Sequence, residues 1–353
     1  MYISIIGAAG SGKTTLFQAL SGIKYENSAQ ANTIATVDVP DERLENLSRI
    51  FKPKKVVHAR IEISDTATIE EGDVKNETIS PKAIQKMRTS DAFILLLRHF
   101  DNGFPIDPAG EFRTIFNEFV LSDMAQIELR LERIRKQGGK KDNPLVQQEK
   151  ALLERCLSHL DNEQPLFTME EIGAEGKMLR GFQFLSQKPM MIVINCDEIS
   201  FDNHDKITSD LKSSLSHSDN IPFVAACAKL EAELALMPSE ESAVFMEEYG
   251  IRETIRNRII QLACKTLGLI FFFTVGEDEC RAWPIKKGLN AQNAAGTIHT
   301  DFYNKFIRAE TVGYDDFMRY GNFAECKKAG VWRLEGKEYI VKDGDIITIR
   351  AGN

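Results

Sequence analysis

Basic residues do not dominate this chain of 353 residues: 44 Lys and Arg stand against 52 Asp and Glu, giving a net charge of −8. No global attraction to nucleic acid is therefore expected, and any polyanion contact must come from a local patch. Long apolar runs are missing too. The strongest, Leu267 to Val275, is about half of the ~20 residues that a membrane helix needs, so no membrane partner is expected. The chain begins directly on strand-like Tyr2 to Ile6, which leaves no stretch for a signal peptide and points to a cytoplasmic location. Cysteines are few and unclustered, at 156, 196, 227, 264, 280 and 326. Without a C-x-x-C pair, zinc-ribbon and thioredoxin readings fail. Reduced thiols packing as small apolar groups are expected, since redox sensing would need a depressed thiol pKa. No unit of about 20–50 residues repeats.

What is present is an ordinary globular composition, 43% apolar and 27% charged, in a length that suits about two or three domains. Tyr2 to Ile6, Val57 to Ser64, Ala92 to Leu97 and Met190 to Ile194 read as strands of one sheet. Their continuous apolar runs are those of buried parallel strands. Between Leu97 and Met190 the spacing becomes helical, through Ile127, Leu131 and Ile134, then Leu145, Leu152 and Cys156. The breaker-rich turn Gly138 to Pro144 separates the two runs, so a helical hairpin interrupts the sheet. Beyond about residue 266, Ile270 to Val275, Arg281 to Ile285, Val331 to Leu334, Tyr339 to Val341 and Ile346 to Arg350 read as strands of a small α+β domain.

Gly7-Ala8-Ala9-Gly10-Ser11-Gly12-Lys13-Thr14 satisfies G-x-x-x-x-G-K-[ST] in full, after a strand and before a helix. Gly7, Gly10 and Gly12 let the backbone curl so that its N–H groups, with Ser11 and Thr15, surround phosphate oxygens. The following helix presents its positive end to the same anion. Lys13 should reach the β- and γ-phosphates as the catalytic cation, and the Thr14 hydroxyl should bind Mg²⁺. A P-loop also needs a carboxylate near the metal at the end of a neighbouring strand. Asp65, after Ile61-Glu62-Ile63-Ser64, is the best candidate. Asp91 is weaker because it starts its strand.

Several stretches together resemble the YchF/Obg-like ATPase family of P-loop proteins. Arg281-Ala282-Trp283, Ala294 to Phe302, Phe306 to Glu310, Trp332 to Lys337 and Tyr339 to Asp345 are similar to that family's C-terminal TGS domain, a ubiquitin-like β-grasp. The P-loop, Val39 to Leu44 and Lys52-Pro53 match its nucleotide-binding half, and Leu129 to Arg133 its inserted helical domain. The resemblance implies an α/β fold with a G-domain-like sheet over 1–108 and 183–266. An inserted helical hairpin over 109–182 and a TGS-like domain over 267–353 complete it. It also implies a choice of base. Where GTPases read guanine with Asn-Lys-x-Asp, this chain has Asn195-Cys196-Asp197-Glu198. That N-x-x-E form accompanies ATP preference in the family, with Asn195, the backbone around Cys196, and Glu198 as the base-side residues. Asp197, one residue early, stays open as a guanine reader.

Departures from the family pattern bear on catalysis. Asp65-Thr66-Ala67-Thr68 stands where the family has Asp-x-Ala-Gly, and a threonine Cβ restricts the backbone there. Ile69 falls where Ras-like enzymes keep a water-orienting Gln, so hydrolysis should be slow. The first-switch Thr that completes the Mg²⁺ shell has Thr33 as its nearest equivalent.

The hairpin tip is basic, with Arg130, Arg133, Arg135, Lys136, Lys140 and Lys141 against Glu132. It could meet ribosomal RNA phosphates, or be a solvated helix end. The last domain has twelve basic and twelve acidic residues from Gly268 to Asn353, so RNA binding there would rest on shape. His299 and Asp301 lack a nearby nucleophile and read as structural, and Phe271-Phe272-Phe273 reads as core. Three functions are weighed. The first is a slow, ribosome-associated ATP switch with Mg²⁺ and without DNA. The second is a non-hydrolysing nucleotide-binding module, and the third a small-molecule kinase, which lacks an evident arginine-bearing lid.

Overall fold

The computed structural model describes residues 1–23, 34–65, 81–136, 143–169, 176–201, 203–216, 218, 220–248 and 254–352. Thr33, Thr66 to Ile69, Lys140 and Lys141 lie outside them. The chain divides into two compact units, residues 1–35 with 62–259, and residues 36–61 with 260–353.

Along the chain run β1 (Tyr2–Ile6), α1 (Lys13–Ser21), β2 (Ile34–Asp38), α2 (Glu42–Phe51), β3 (Lys55–Val57), β4 (Arg60–Asp65), α3 (Pro81–Thr89) and β5 (Ala92–His99). In the first unit β1 pairs in parallel with β4 and with β5. β6 (Met190–Cys196) and β7 (Phe223–Ala226) continue the parallel sheet beyond β5. Every residue of β6 is buried, as continuous apolar runs require when both faces are covered. The helical hairpin consists of α4 (Pro108–Lys136) and α5 (Pro144–Asp161). Asn143 caps α5 by accepting the Leu145 N–H, with Pro144 in the first turn. Its apolar stripe is not separate from the sheet. Phe116, Phe119, Ile127, Leu152 and Cys156 share one core cluster with Phe93, Leu95, Ile192 and Ile194. α6 (Ala228–Leu236) follows β7.

In the second unit the strand order is β11-β10-β12-β8-β9-β3, with β8 Leu269–Thr274, β9 Glu279–Lys286, β10 Phe306–Gly313, β11 Arg333–Glu335 and β12 Asp345–Ala351. α7 (Ala291–Ile298) lays Ala291, Ala294 and Ala295 against Phe272, Ile285 and Ile347, in the β-grasp manner. Small residues at helical spacing let the helix approach the sheet closely. Phe272 and Phe273 are fully buried and Phe271 nearly so. Arg43 braces this unit: it donates to Asp41 and to Asp343, both at 2.8 Å, and lies over the Phe273 ring.

Two strand expectations are corrected. Val57 to Ser64 is not one strand: the chain breaks at His58-Ala59, and β3 pairs in parallel with β9 while β4 pairs with β1. Tyr339 to Val341 forms only an isolated bridge, Ile340 to Asn290: the Tyr339 N–H turns back to the Gly336 carbonyl, while the Val341 N–H reaches Leu289 O. His299 accepts the Asp301 N–H as a helix cap, which accounts for both residues structurally. All six cysteines are buried, and among the described residues none forms a disulfide. Among the described residues no helix is long and apolar enough to cross a membrane.

Candidate nucleotide site

Parallel register brings the C-terminal ends of the strands together. Ile5 lies beside Asp65, His99 beside Cys196, and Asn195 beside Ala226. Open α/β sheets hold their ligands at this edge. From Ile6 the chain turns through Gly7–Gly12 into α1. Two glycines are sterically required. A Cβ on Gly7 would lie 2.4 Å from the Leu96 carbonyl oxygen. One on Gly12, at φ 92°, would lie 2.3 Å from Asn195 Nδ2.

Lys13 is buried, and its Nζ donates to the Gly7 and Ala8 carbonyls at 3.1 and 2.7 Å. The ammonium thus closes the loop on itself. Burial pushes its pKa down to about 8, against the opposing fields of Asp65 and Glu111. Thr14 is exposed and donates from Oγ1 to Asp65 Oδ2 at 2.8 Å, while Thr15 is half-buried. A hydroxyl and a carboxylate oxygen side by side are hard donors that fit Mg²⁺, which takes one or two protein oxygens with phosphates and waters. Asp91 is elsewhere: it accepts the Tyr2 N–H at the opposite edge of the sheet. Ser11 is fully buried, and its Oγ has no partner among the described residues.

The base-side residues divide. Asn195 is buried with both ends of its amide engaged: Nδ2 donates to Ser11 O at 2.9 Å, and Oδ1 accepts the Ala228 N–H at 3.1 Å. It joins the P-loop to the start of α6. Cys196 is buried, and burial followed by Asp197 and Cys227 pushes its thiol up to about 12. Glu198 is exposed and pairs with Lys229 at 3.1 Å. Asp197 accepts the Ser200 N–H at 2.7 Å, which holds its carboxyl below the usual range.

Sequence reading missed Arg98 and Glu111. Glu111, in the first turn of α4, accepts the Arg98 N–H at 3.0 Å and pairs with its guanidinium at 3.4 Å. Arg98 also donates to the carbonyls of Phe100, Phe104 and Pro105. That loop reaches the P-loop, since a Cβ on Gly10 would lie 3.1 Å from Asn102 Nδ2. Burial raises the Glu111 pKa while its Arg98 contacts oppose. The available signal was an arginine directly after the apolar run Ala92 to Leu97, because a buried guanidinium demands partners.

Comparison with known proteins agrees with this geometry. Residues 269–352 match the C-terminal YchF-GTPase family, described as a protein of unknown function, and residues 2–119 match MMR_HSR1, described as a 50S ribosome-binding GTPase. The chain is 35% identical to the "Ribosome-binding ATPase YchF" of Bacillus subtilis (strain 168), over 98% of both chains. It is 36% identical to that of Pasteurella multocida (strain Pm70), also over 98% of both. Its structure superposes on the YchF GTPase of Schizosaccharomyces pombe with a TM-score of 0.88 at 27% identity, covering 99% of this chain and 97% of that one. With full-length identity of this order beside an intact P-loop, the chain belongs to the YchF family of P-loop nucleotide hydrolases.

Proposed function

We propose that the chain is a slow, Mg²⁺-dependent ATPase that associates with the ribosome, the partner that its relatives' names carry. The observation that carries the reading is the Thr14–Asp65 contact beside the loop closed by Lys13. Lys13 and the loop amides bind the triphosphate, and Lys13 then stabilises charge developing on the γ-phosphoryl oxygens. To do so its ammonium exchanges the Gly7 and Ala8 carbonyls for phosphate oxygens. Thr14 and Asp65 would hold Mg²⁺, directly or through water, and the metal would neutralise β- and γ-phosphate charge. A water attacks the γ-phosphorus while its bond to the bridging oxygen of the β-phosphate breaks, releasing ADP and phosphate; the water is oriented by the ribosomal partner or the phosphate itself, which makes the isolated protein slow.

For the base, Asn195 braces the loop, and the backbone around Cys196 meets the adenine edge. The tie between Glu198 and Lys229 supports this division, because it turns that carboxylate toward a cation on α6. Cytoplasmic location accords with a ribosomal partner.

Steady-state ADP release with and without purified ribosomes tests the reading. Slow turnover that rises with ribosomes and disappears in Lys13→Ala is expected. Fast turnover by the isolated protein overturns the slow-switch reading, and wild-type release no greater than that of Lys13→Ala leaves a non-hydrolysing nucleotide-binding module. Calorimetric preference for GTP over ATP overturns the assignment of the base.

A further inference from the structure

The N-terminal edge of the first unit's sheet lies at the opposite end of the strands from the P-loop. Here β5 and β6 begin, with Phe93 N donating to Pro189 O. A cavity of about 700 Å³ opens at this edge, and Arg88, Lys177, Arg180 and Lys188 stand in its wall with one carboxylate, Asp91, among the described residues. The cations differ in what they can offer. Arg88 is buried and committed, donating to Asp123, Ser122, Phe182 and Gln183. Asp123 in turn accepts from the Leu185 and Ser186 N–H groups and the Ser186 hydroxyl. This network is a rigid floor. Lys188 donates to two backbone carbonyls, those of Arg88 and Ser90, so no hydrogen-bonded carboxylate neutralises it. Burial lowers its pKa; Asp91 and Asp123 oppose that shift and Arg88 adds to it. Lys177 and Arg180 are exposed on the rim.

A second groove of about 350 Å³ is lined by the turn 181–182 and by α4, where Arg133 is exposed. Arg130 is there too, but Glu149 takes it in a two-point pair at 2.7 and 2.8 Å. In that turn Phe182 is half-buried and stacks on Phe184, with centroids 5.0 Å apart. Gln126 donates to Phe182 O, while its Oε1 is buried without a partner among the described residues. An orphan amide acceptor beside a ring and a row of cations suits a base N–H, a base face and successive phosphates.

We propose that this edge binds single-stranded RNA, its backbone crossing Lys188, Lys177, Arg180 and Arg133 and one base meeting Phe182 and Gln126. Exposed cations arranged along a groove suit a polymer, which binds by counterion release, better than a small anion, which would need buried donors left free. The choice of RNA rests on the ribosome reading above, whereas the groove and its charge do not.

The test is fluorescence anisotropy of a labelled oligouridine, titrated with the full-length chain at several NaCl concentrations. Lys177→Gln with Arg180→Gln removes two exposed rim cations and should leave the fold and ATP affinity unchanged. The slope of log K against log salt should become shallower by about 1.4, at about 0.7 per lost phosphate contact on a single strand. Affinity at low salt should fall about tenfold or more. Wild-type affinity and slope in this variant overturn the proposal. So does a loss confined to Arg135→Gln with Lys136→Gln at the hairpin tip, or no binding of the oligonucleotide by the wild type. Cosedimentation of the wild type with ribosomes decides the ribosome reading separately: if it is positive while the oligonucleotide result is negative, only the groove fails.

Discussion

Replacing Asn195 by Asp preserves the shape of the side chain and converts one donor into an acceptor. Oδ1 can still accept the Ala228 N–H, but the 2.9 Å contact with the Ser11 carbonyl then brings two oxygens together. Asn195 and Ser11 are both buried, so water cannot replace the lost donor. Leaving a buried carbonyl unpaired costs about 1–3 kcal/mol, and more when a charge faces it. The introduced carboxyl would meet burial and an opposed carbonyl, both of which raise its pKa above that of the unfolded chain. Its protonated form can donate to Ser11 O. The penalty should therefore be smallest below the unfolded Asp value of ~3.9, grow as pH rises above it while the folded state alone keeps the proton, and level off above the raised folded pKa, so that it is larger at pH 8 than at pH 5. Urea denaturation at pH 5 and pH 8, each against wild type, reads this directly. Calorimetric ATP affinity should fall with it, by about tenfold for each 1.4 kcal/mol that reaches the loop. Equal stability and affinity in the two proteins at both pH values, within about 0.5 kcal/mol, would refute the bracing role of Asn195.

Gly12→Ala should weaken ATP binding strongly. Its Cβ would meet Asn195 at 2.3 Å, and positive φ alone costs about 1–2 kcal/mol. Combined with Asn195→Ala the effects should be non-additive, since one clash is shared, and strict additivity in calorimetry would contradict the geometry. Glu111→Ala should destabilise the chain by about 3–5 kcal/mol in urea denaturation, because Arg98 remains buried without its carboxylate. A loss below about 1 kcal/mol would show the pair to be dispensable. A thiol reagent should leave all six buried cysteines unmodified in the native protein at pH 8 and label all six after unfolding. Cys196 and Cys264, each pushed up to about 12, should be among the slowest, and rapid native labelling would contradict their burial.

The P-loop was legible because its chemistry is local: the glycines, Lys13 and Thr14 are contiguous, and backbone geometry dictates their spacing. The buried strands β1, β5 and β6 were legible for a similar reason, since apolar runs of strand length have few other uses. The helical hairpin followed from periodicity and its breakers. The β3–β4 break was not legible, because β3 takes its partner β9 from more than two hundred residues later in the chain. Tyr339 to Val341 has strand composition, yet the Tyr339 N–H turns back to Gly336 and the segment keeps only a bridge.

The sequence by itself determined a triphosphate-binding loop, the sheet that carries it and, through resemblance, the family. Tertiary structure alone decided what the neighbouring polar groups do. Asn195 is occupied by Ser11 and Ala228, Glu198 by Lys229, and Glu111 by Arg98 beside the P-loop. A motif fixes which residue types stand at which spacing. The partner of a buried polar group depends on which distant segment folding brings within 3 Å or so of it, and pattern along the chain carries no record of that distance.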